Sequence, residues 1–216
     1  MPLDKKTLLD AVKEAKAKSG QKKFSQTVEL ILDIKEIDMK SPEGRIQQVV
    51  ELPHAKGKPN KIFVVASGEL ALKARRTQAD KVIEKADLEV LAGKKKELRK
   101  LANNYDVFIS EAPLMPLVGR IFGPALGPRG KLPVPVPPNA DIASLIAKHR
   151  KTVVVKMRNQ PVIQCPIGTE NMKDEELVAN IQTILRVLEG KLKRGLKNIK
   201  FAFIKTSMGE PAKIKA

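Results

Sequence analysis

The chain has 216 residues, of which 42% are hydrophobic, enough to bury one large or two small cores and to exclude a disordered tail. Its 41 lysines and arginines against 24 acidic residues give a net charge of +17, which favours a polyanionic partner, usually nucleic acid. An anionic membrane surface is the rival partner, but such binding needs an amphipathic segment with aromatic anchors, and the chain has no Trp and one Tyr.

The first quarter of the chain predicts a helix and two strands. Residues 5–18 carry apolar side chains at helical spacing, and Gly20 helps to end that helix. Residues 27–37 alternate apolar and polar side chains, as in a half-buried strand. A turn at residues 41–44 then leads to a predicted returning strand at residues 45–52.

The pattern changes after a segment rich in Pro, Gly and Lys at residues 53–59. Short apolar runs at residues 61–66 and 107–109 predict strands that are covered on both faces. Helices are predicted around them, with Ser67 and Asn139 as candidate N-caps. Short strands that alternate with helices favour a small parallel α/β sheet.

The first pattern returns from residue 152 onwards. Residues 153–155 and 161–167 are predicted to be paired strands, residues 174–189 an amphipathic helix, and residues 199–204 a final strand. Two α+β flanks therefore enclose an α/β middle, which is the order that an inserted domain produces.

The predicted boundaries give one domain from residues 1–58 plus 152–216 and an inserted domain at residues 59–151. Both parts are basic, with net charges of +9 for the flanks and +8 for the middle. Neither part is a neutral scaffold that carries a charged tail.

Catalysis, disulfides and metal binding find little support. His54 and His149, the only histidines, lie beside no recognisable nucleophile motif, so structural roles are favoured for both. Cys165, the only cysteine, can form no intrachain disulfide and is predicted to be a small packed side chain. We therefore expect no enzyme, metal or cofactor. The first residues lack the apolar stretch of a signal peptide, and a cytoplasmic location is expected.

Residues 119–131 form a segment rich in glycine and proline, which predicts a loop. It fails the P-loop pattern, because Ala125 stands where the first glycine is required, and it fails the dinucleotide fingerprint. Its resemblance to the four-residue clamp of KH domains is superficial, since Pro128 has no N–H to offer a phosphate. A structural turn is about as probable as a basic binding loop, whose candidate residues would be Arg120, Arg129 and Lys131.

Six Phe and one Tyr are few for a base-stacking platform, so recognition of RNA shape, backbone and 2′-hydroxyls is predicted. Two segments fit that mode, because each places hydroxyls beside lysines at a strand end: "KKFSQTVEL" at residues 22–30 and "KTSMGEP" at residues 205–211. Either one alone would more often be an ordinary strand terminus.

Together these segments resemble the ribosomal protein L-one family. The resemblance extends to "ELPHAKGK" followed by "KIFVVA", to "PLMPLVGRIFGPALGPRGKLP", and to "CPIGTENMKDEELVANI". The matches span nearly the whole chain in the right order. The "GKLP" and "MGEP" variants are closer to archaeal and eukaryotic members than to bacterial ones.

The resemblance implies an α+β discontinuous domain of the antiparallel, split β-α-β type, which carries the main RNA site, with an inserted three-layer α/β Rossmann-like domain. It also implies a monomeric protein of the large ribosomal subunit that binds the rRNA stalk. Release of deacylated tRNA from the exit site and repression of the protein's own mRNA are further implied roles. Neither DNA nor membrane is an expected partner.

Carried over residue by residue, the family's RNA site falls on Glu14, Lys23, Phe24, Thr27, Thr206, Ser207, Met208 and Gly209. Hydroxyls of Thr and Ser can pair with a 2′-hydroxyl, and Phe and Met offer apolar area to a ribose or base. The chain departs from the family where Ser207 replaces Thr, where Glu210 adds a negative charge, and at Gln164, where many bacterial members carry His.

Two alternatives belong to other classes of protein. The first is a non-ribosomal RNA-binding translational regulator or RNA chaperone. The second, more distant, is an enzyme with a nucleotide site in the middle domain.

Overall fold

The computed structural model of the protein describes residues 4–20, 22–38, 46–77, 79–157 and 160–214. The chain divides into two compact units. The flanking unit comprises residues 1–58 and 151–216, and the middle unit comprises residues 59–150.

In chain order the helices and strands are α1 (Lys5–Ala17), β1 (Thr27–Ile34), β2 (Gln47–Glu51), β3 (Ile62–Val65), α2 (Gly68–Arg76), β4 (Lys81–Ile83), α3 (Lys85–Val90), α4 (Lys95–Asn104), β5 (Val107–Glu111), α5 (Met115–Leu126), β6 (Val134–Val136), α6 (Ile142–Arg150), β7 (Thr152–Lys156), β8 (Val162–Thr169), α7 (Asp174–Glu189), β9 (Ile199–Thr206) and β10 (Ala212–Lys213). Within the described residues, no helix is long and apolar enough to cross a lipid bilayer.

The flanking unit is built on an antiparallel four-stranded sheet with the order β10-β9-β1-β8. Along β1, every second side chain is buried, among them Val28, Leu30 and Leu32, as the alternation predicted. These residues share one core with Val12 of α1 and Ile181 of α7. Both helices therefore cover one face of the sheet.

Two predicted strand pairings in the flanking unit are wrong. β2 does not return along β1 but pairs with β7 in a separate two-stranded sheet, in which Val49 lies opposite Val154. The segments at residues 153–155 and 161–167 consequently belong to different sheets. Alternation identifies strands but not their partners, because it reports only which face is buried. The predicted turn at residues 41–44 lies outside the described residues.

The middle unit contains a parallel sheet with the order β4-β3-β5-β6. Helices cover both of its faces: Phe63 and Val65 of β3 pack with α3, α4 and α5, whereas Ile62 and Val64 pack with α2 and α6. This explains the continuous apolar run of β3, since a strand that is covered twice has no polar side.

One boundary shifts by a single residue. Lys151, expected in the inserted domain, lies in the flanking unit. Its carbonyl accepts a hydrogen bond from the backbone N–H of Leu52 at 3.3 Å and extends the β2–β7 pairing. Backbone pairing thus holds Lys151 to the flanking unit.

The predicted loop at residues 119–131 is mostly helical. α5 extends to Leu126, and a short 3-10 turn follows at Gly127–Arg129. The buried side chains Val118, Ile121, Phe122 and Ala125 recur at i, i+3, i+4 and i+7, which is the helical signal that the glycines and prolines concealed. Burial of this stripe outweighs the low helix propensity of Gly and Pro.

Of the two predicted N-caps in the middle unit, Ser67 holds the N-cap position without a side-chain capping bond, and Asn139 is not the cap. Ser67 does precede α2, but its hydroxyl donates to Glu111 at 2.6 Å instead of capping the helix. α6 is capped by Asp141 and not by Asn139, because the Asp141 carboxylate accepts from the backbone N–H of Ala143 at 3.1 Å.

Candidate RNA interface

The two segments that resemble the family's RNA site meet at one end of the flanking sheet. The register of β1 and β9 places Val28 opposite Thr206, so the start of β1 and the end of β9 lie side by side. The C-terminal end of α1 lies beside them, since Gln26 donates to the carbonyl of Ser19 at 3.3 Å. We call this surface the candidate RNA interface and define it by residues 14–20, 22–27 and 205–210.

Ser207 joins the two segments directly. Its hydroxyl accepts from the backbone N–H of Thr27 at 3.2 Å and lies 3.4 Å from the Thr27 carbonyl, to which it can donate. These residues are 180 positions apart in the chain. The hydroxyl that was expected to contact RNA therefore also holds the interface together.

Gln26 is the centre of the interface, although its side chain is 0% exposed. Its amide nitrogen donates to the Ser19 hydroxyl at 2.6 Å, and its amide oxygen accepts from the backbone N–H of Met208 at 2.9 Å. One side chain thus fixes the end of α1 and the loop after β9. Buried amides of this kind are costly to leave unpaired, so the arrangement is well specified.

Glu170, in the connection between β8 and α7, binds both Gln26 and Ser19. One carboxylate oxygen accepts from the backbone N–H of Gln26 at 2.9 Å, and the other accepts from the Ser19 hydroxyl at 3.1 Å. Sequence reasoning missed both Gln26 and Glu170. Both lie inside segments that resemble the family, but nothing in the sequence around Glu170 indicates its contacts with Ser19 and Gln26.

Thr206 and Gly209 form the base of the loop and not its outer surface. Thr206 is 0% exposed, and its hydroxyl accepts from the backbone N–H of Gly209 at 3.1 Å. A Cβ at Gly209 would collide with that hydroxyl and lie 3.0 Å from the Cα of Ser19. Thr206 was predicted to contact RNA, but its burial makes it a positioning residue. Packing within the protein alone therefore requires a glycine at position 209, whether or not a ribose binds beside it.

Phe24 and Met208 project from the interface into solvent, with 53% and 65% of their surfaces exposed. Exposed apolar side chains of this size beside a basic surface are available to a ribose or a base. Thr27 is half-buried and lies at the edge of the same surface.

The charges around the interface are mixed. Lys22 and Lys23 are exposed, whereas the ammonium of Lys18 forms an ion pair with Glu14 at 2.6 Å. The hydrogen bond from that ammonium to Glu14 raises the pKa of Lys18, with a smaller contribution from Glu210. Glu14 is therefore already paired with a cation, and Glu210 lies close enough to act on the same lysine.

Two of the three candidate cations in the middle unit have structural roles. The guanidinium of Arg129 donates to Asn103 at 2.7 Å and to the carbonyl of Ala125 at 2.8 Å. The ammonium of Lys131 donates to the carbonyls of Ala102 and Tyr105, at 2.9 and 2.6 Å, and so completes the C-terminal end of α4. Both side chains therefore have protein partners, and their contact with RNA or tRNA stays a prediction.

Arg120 differs from these two cations because its side chain is exposed. It lines a cavity of about 650 Å³ between α4 and α5, together with Lys95 and Arg99. The floor of this cavity is apolar and includes Leu98 and Ile121. Sequence reasoning missed Lys95 and Arg99, since the segment of Arg120 was taken for a loop and not for a helix that packs against α4.

The residues considered for catalysis and metal binding have structural surroundings. Cys165 is 1% exposed, and burial raises the pKa of its thiol to about 12. The backbone of His54 is held by the buried Asn180, which accepts from its N–H and donates to its carbonyl, both at 3.1 Å. Among the described residues, no group of His, Cys, Asp or Glu is arranged to hold a metal ion.

Comparison with known proteins gives a consistent result along the whole chain. The sequence model of the Ribosomal protein L1p/L10e family matches residues 12–210. The large ribosomal subunit protein uL1 of Pyrococcus abyssi is 47% identical over 216 residues, 100% of this chain and 98% of the relative. The uL1 proteins of Methanocaldococcus jannaschii and Methanothermobacter thermautotrophicus are 46% and 44% identical, over 99% and 96% of this chain and 97% and 98% of the relatives.

The geometry defines a mixed α/β protein with two antiparallel sheets and one parallel sheet, and with lysines exposed at one end of the four-stranded antiparallel sheet. Within that class, the chain belongs to the ribosomal protein L1p/L10e family, and these relatives make it an archaeal-type member. The resemblance on which the sequence analysis relied is confirmed.

Proposed function

We propose that this protein is a constituent of the large ribosomal subunit in the cytoplasm and that it binds the large-subunit rRNA stalk through the candidate RNA interface. The family supports residence in the ribosome. The net charge of +17 supports RNA as the partner.

One observation carries the choice of surface. Hydrogen bonds between residues about 180 positions apart hold two loops together, and Phe24 and Met208 remain exposed on them. If this region were only the end of a strand, the fold would not need the buried Gln26 to position the exposed Met208. Such an arrangement suits a preorganised contact surface, which binds without an ordering cost.

Point variants of the full chain test this surface. Met208→Ala removes exposed apolar area, and Thr27→Val removes a hydroxyl that can pair with a 2′-hydroxyl. Each is expected to weaken binding to a hairpin of stalk rRNA by about 1–3 kcal/mol, with little change in Tm.

Val90→Ala provides the matched control, because Val90 is 64% exposed but lies in the middle unit. Its hairpin affinity should equal that of the unaltered protein. If Met208→Ala and Val90→Ala bound the hairpin equally well, the proposed surface would be wrong.

Salt dependence gives a second test. Each phosphate neutralised contributes about 0.7–0.9 to the slope of log K against log salt concentration, so several engaged lysines should give a slope of about −3 or steeper. Lys23→Gln should reduce the magnitude of that slope by nearly one phosphate contact. A slope near zero for the unaltered protein would contradict an electrostatic interface.

The middle unit suits a second contact with RNA, and we assign it the deacylated tRNA of the exit site, whose release it would assist. Arg120, Arg99 and Lys95 outnumber the one carboxylate, Glu89, around a cavity with apolar walls, a combination that can hold a phosphate beside a ribose or base. Arg120→Gln should slow tRNA release from purified ribosomes without altering hairpin affinity. Unchanged release kinetics would remove this part of the proposal.

We also propose that the protein represses its own message, because the mRNA and the rRNA would compete for the same main RNA-binding site. A preorganised surface that recognises RNA shape and 2′-hydroxyls accepts any RNA of the same fold, including an imitation of the stalk in a message. A tenfold preference for rRNA needs only about 1.4 kcal/mol. In a competition assay, the leader or early coding RNA should displace stalk rRNA better than unrelated hairpins do, and equal displacement would refute repression.

A non-ribosomal RNA-binding regulator or chaperone is the remaining alternative. Sedimentation separates the two, since a ribosomal constituent co-migrates with large subunits at moderate salt. Recovery of the protein only in free fractions would favour the alternative.

A further inference from the structure

The flanking sheet has a second face, which α1 and α7 do not cover. Strands β1 and β9 lie at its centre, and the residues on this face are half-buried where their neighbours along the strand are buried. We call it the open face. Its residues on the two central strands are Thr27, Glu29, Ile31, Asp33, Phe201, Phe203 and Lys205.

Two aromatic rings stand together on the open face. Phe201 and Phe203 are two positions apart on β9, and their ring centroids are 6.3 Å apart. Ile31 lies opposite Phe203, so an apolar strip crosses the middle of the sheet. The other aromatic rings, apart from Phe24, pack in the core of the middle unit. The low aromatic count therefore concealed a local pair.

Cations surround the ring pair. The ammonium groups of Lys213 and Lys200 lie over the ring of Phe201, 4.4 and 5.3 Å from its centroid. A base that stacks on this ring would displace the flexible lysine side chains toward its phosphates. Lys205 lies one pair further along β9, opposite Glu29. Three lysines thus border a strip about two side chains wide.

Two carboxylates share this face, and their positions limit their effect. Glu29 accepts a hydrogen bond from the side-chain amide of Gln164 at 2.6 Å, toward β8 and away from the rings. Asp33 lies opposite Phe201, where Lys200 and Lys213 also approach. The cations outnumber the carboxylates around the rings, which favours an anionic ligand.

The half of the open face beside β8 is also accessible. A groove of about 600 Å³ is lined by Glu29, Val162, Gln164 and Pro166 of the sheet, with Lys156 of β7 at its border. Its lining is mostly polar, with Gln164 paired to Ile31, so the groove extends the open face from the central strands to the edge of the sheet but not its apolar strip. The open face therefore offers a continuous surface.

We propose that the open face is a second RNA-binding surface, which takes unpaired nucleotides by stacking their bases on Phe201 and Phe203. Lys200, Lys205 and Lys213 would then contact the phosphates. Aromatic side chains on the open face of a four-stranded sheet that is backed by helices provide the geometry for single-stranded RNA. The rings are spaced by about 6.6 Å along the strand, so each can receive one base.

The position of this surface favours RNA over a protein partner. Thr27 and Lys205 belong both to the open face and to the candidate RNA interface. An RNA strand that leaves a duplex held at that interface would enter the open face directly. The inference goes beyond the proposed function, because it adds a class of ligand that lacks the fold of the stalk.

The test uses the full-length protein and two fluorescent RNA probes, an unstructured oligoadenylate and the stalk hairpin. Phe201→Leu/Phe203→Leu keeps apolar bulk on the sheet but removes both rings. It should weaken oligoadenylate binding about tenfold or more, the size expected for the loss of one stacked base, and leave hairpin binding unchanged.

Phe24→Leu is the matched control, since it makes the same substitution at the candidate RNA interface. It should weaken hairpin binding and spare oligoadenylate binding. Circular dichroism and Tm establish that all variants are folded. A 4-thiouridine oligonucleotide should also cross-link to the peptide that contains residues 200–205.

Oligoadenylate binding that the double variant leaves unchanged would overturn the inference. So would an unaltered protein that does not bind oligoadenylate. If instead the hairpin failed to bind the unaltered protein while oligoadenylate bound through the rings, the proposed function would fail and the open face would stand.

Discussion

Gln26 shows how one buried amide can control an exposed surface. It makes hydrogen bonds to Ser19 and Met208 from a fully buried position. Gln26→Leu should cost about 1–3 kcal/mol of stability, because the groups around it lose their partners. It should also lower hairpin affinity at temperatures where the variant is still fully folded, since the Met208 loop is no longer positioned.

Asn198 offers a matched control for this prediction. It is 2% exposed, lies at the other end of the flanking sheet, and holds the backbone of Lys35 and Arg194 at 3.0 and 2.9 Å. Asn198→Leu should reduce Tm by a similar amount but leave hairpin affinity intact. Equal losses of affinity in the two variants would mean that Gln26 acts through general stability only.

Cys165 gives a prediction about chemical reactivity and pH. Burial raises its thiol pKa to about 12, from 9.0 for an unperturbed thiol. Alkylation by iodoacetamide at neutral pH should therefore be very slow in the folded protein and fast in guanidinium chloride. Since the unfolded chain ionises first, this thiol's contribution to stability is lost as the pH rises from 9.0 toward about 12. Cys165→Ala should flatten the fall in Tm over that range.

Residues of the interface differ in how far the sequence could predict them. Phe24 and Met208 are exposed beside Thr27 and Ser207, as a local motif can suggest. Thr206 sits one position from Ser207 but faces the core, because strand alternation reverses the side chain at every step. The contact of Glu170 with Gln26 spans 144 positions and depends on the assembled sheet, so no local pattern contains it.

Among the elements, α6 provides a direct test of capping. Hydrogen bonds from Ser144, chiefly from its hydroxyl, and from the backbone of Ala143 lower the pKa of Asp141. Asp141→Ala should lower the free energy of unfolding, whereas Asn139→Ala should have little effect. The stabilisation by Asp141 is present above its ordinary pKa of 3.8 and is lost as the pH falls through the lower value of the folded state.

Denaturant unfolding of both variants at neutral pH measures the difference. Repeating it in acid should bring Asp141→Ala and the unaltered protein closer together. A loss of stability confined to Asn139→Ala would show that the cap lies two residues earlier.

Helices with a clear apolar stripe were predictable from the sequence, and α7 begins and ends at the predicted residues. α5 was not, since Gly119, Gly123 and Pro124 lie within it. Its buried side chains stabilise a helix that the intrinsic propensities of its residues disfavour. The partners of β2 and β7 could not be predicted either, because the strands that pair there are separated by the whole middle unit.

At the scale of the whole molecule, the division into two units predicts that each can fold alone. Residues 1–58 joined by a short flexible linker to residues 151–216 should form the complete antiparallel sheet. All residues of the candidate RNA interface are retained, so hairpin affinity should stay within a factor of about ten of the full chain, less than 1.4 kcal/mol.

Isothermal titration with the stalk hairpin and a thermal melt provide the measurements. The isolated middle unit, residues 59–150, is the control and should melt cooperatively but bind the hairpin weakly. Tighter hairpin binding by the middle unit than by the joined flanks would reverse the assignment of the main site.

The position of β9 between β1 and β10 has a consequence for the order of events during synthesis. β1 is made early, but both of its neighbours in the sheet, β8 and β9, come from the last third of the chain. The middle unit is complete once residue 150 has left the exit tunnel, so it can fold while β1 still lacks its partners. The surface proposed to bind RNA closes only when Ser207 reaches Thr27. A truncated nascent chain would therefore carry a folded middle unit but no assembled RNA interface.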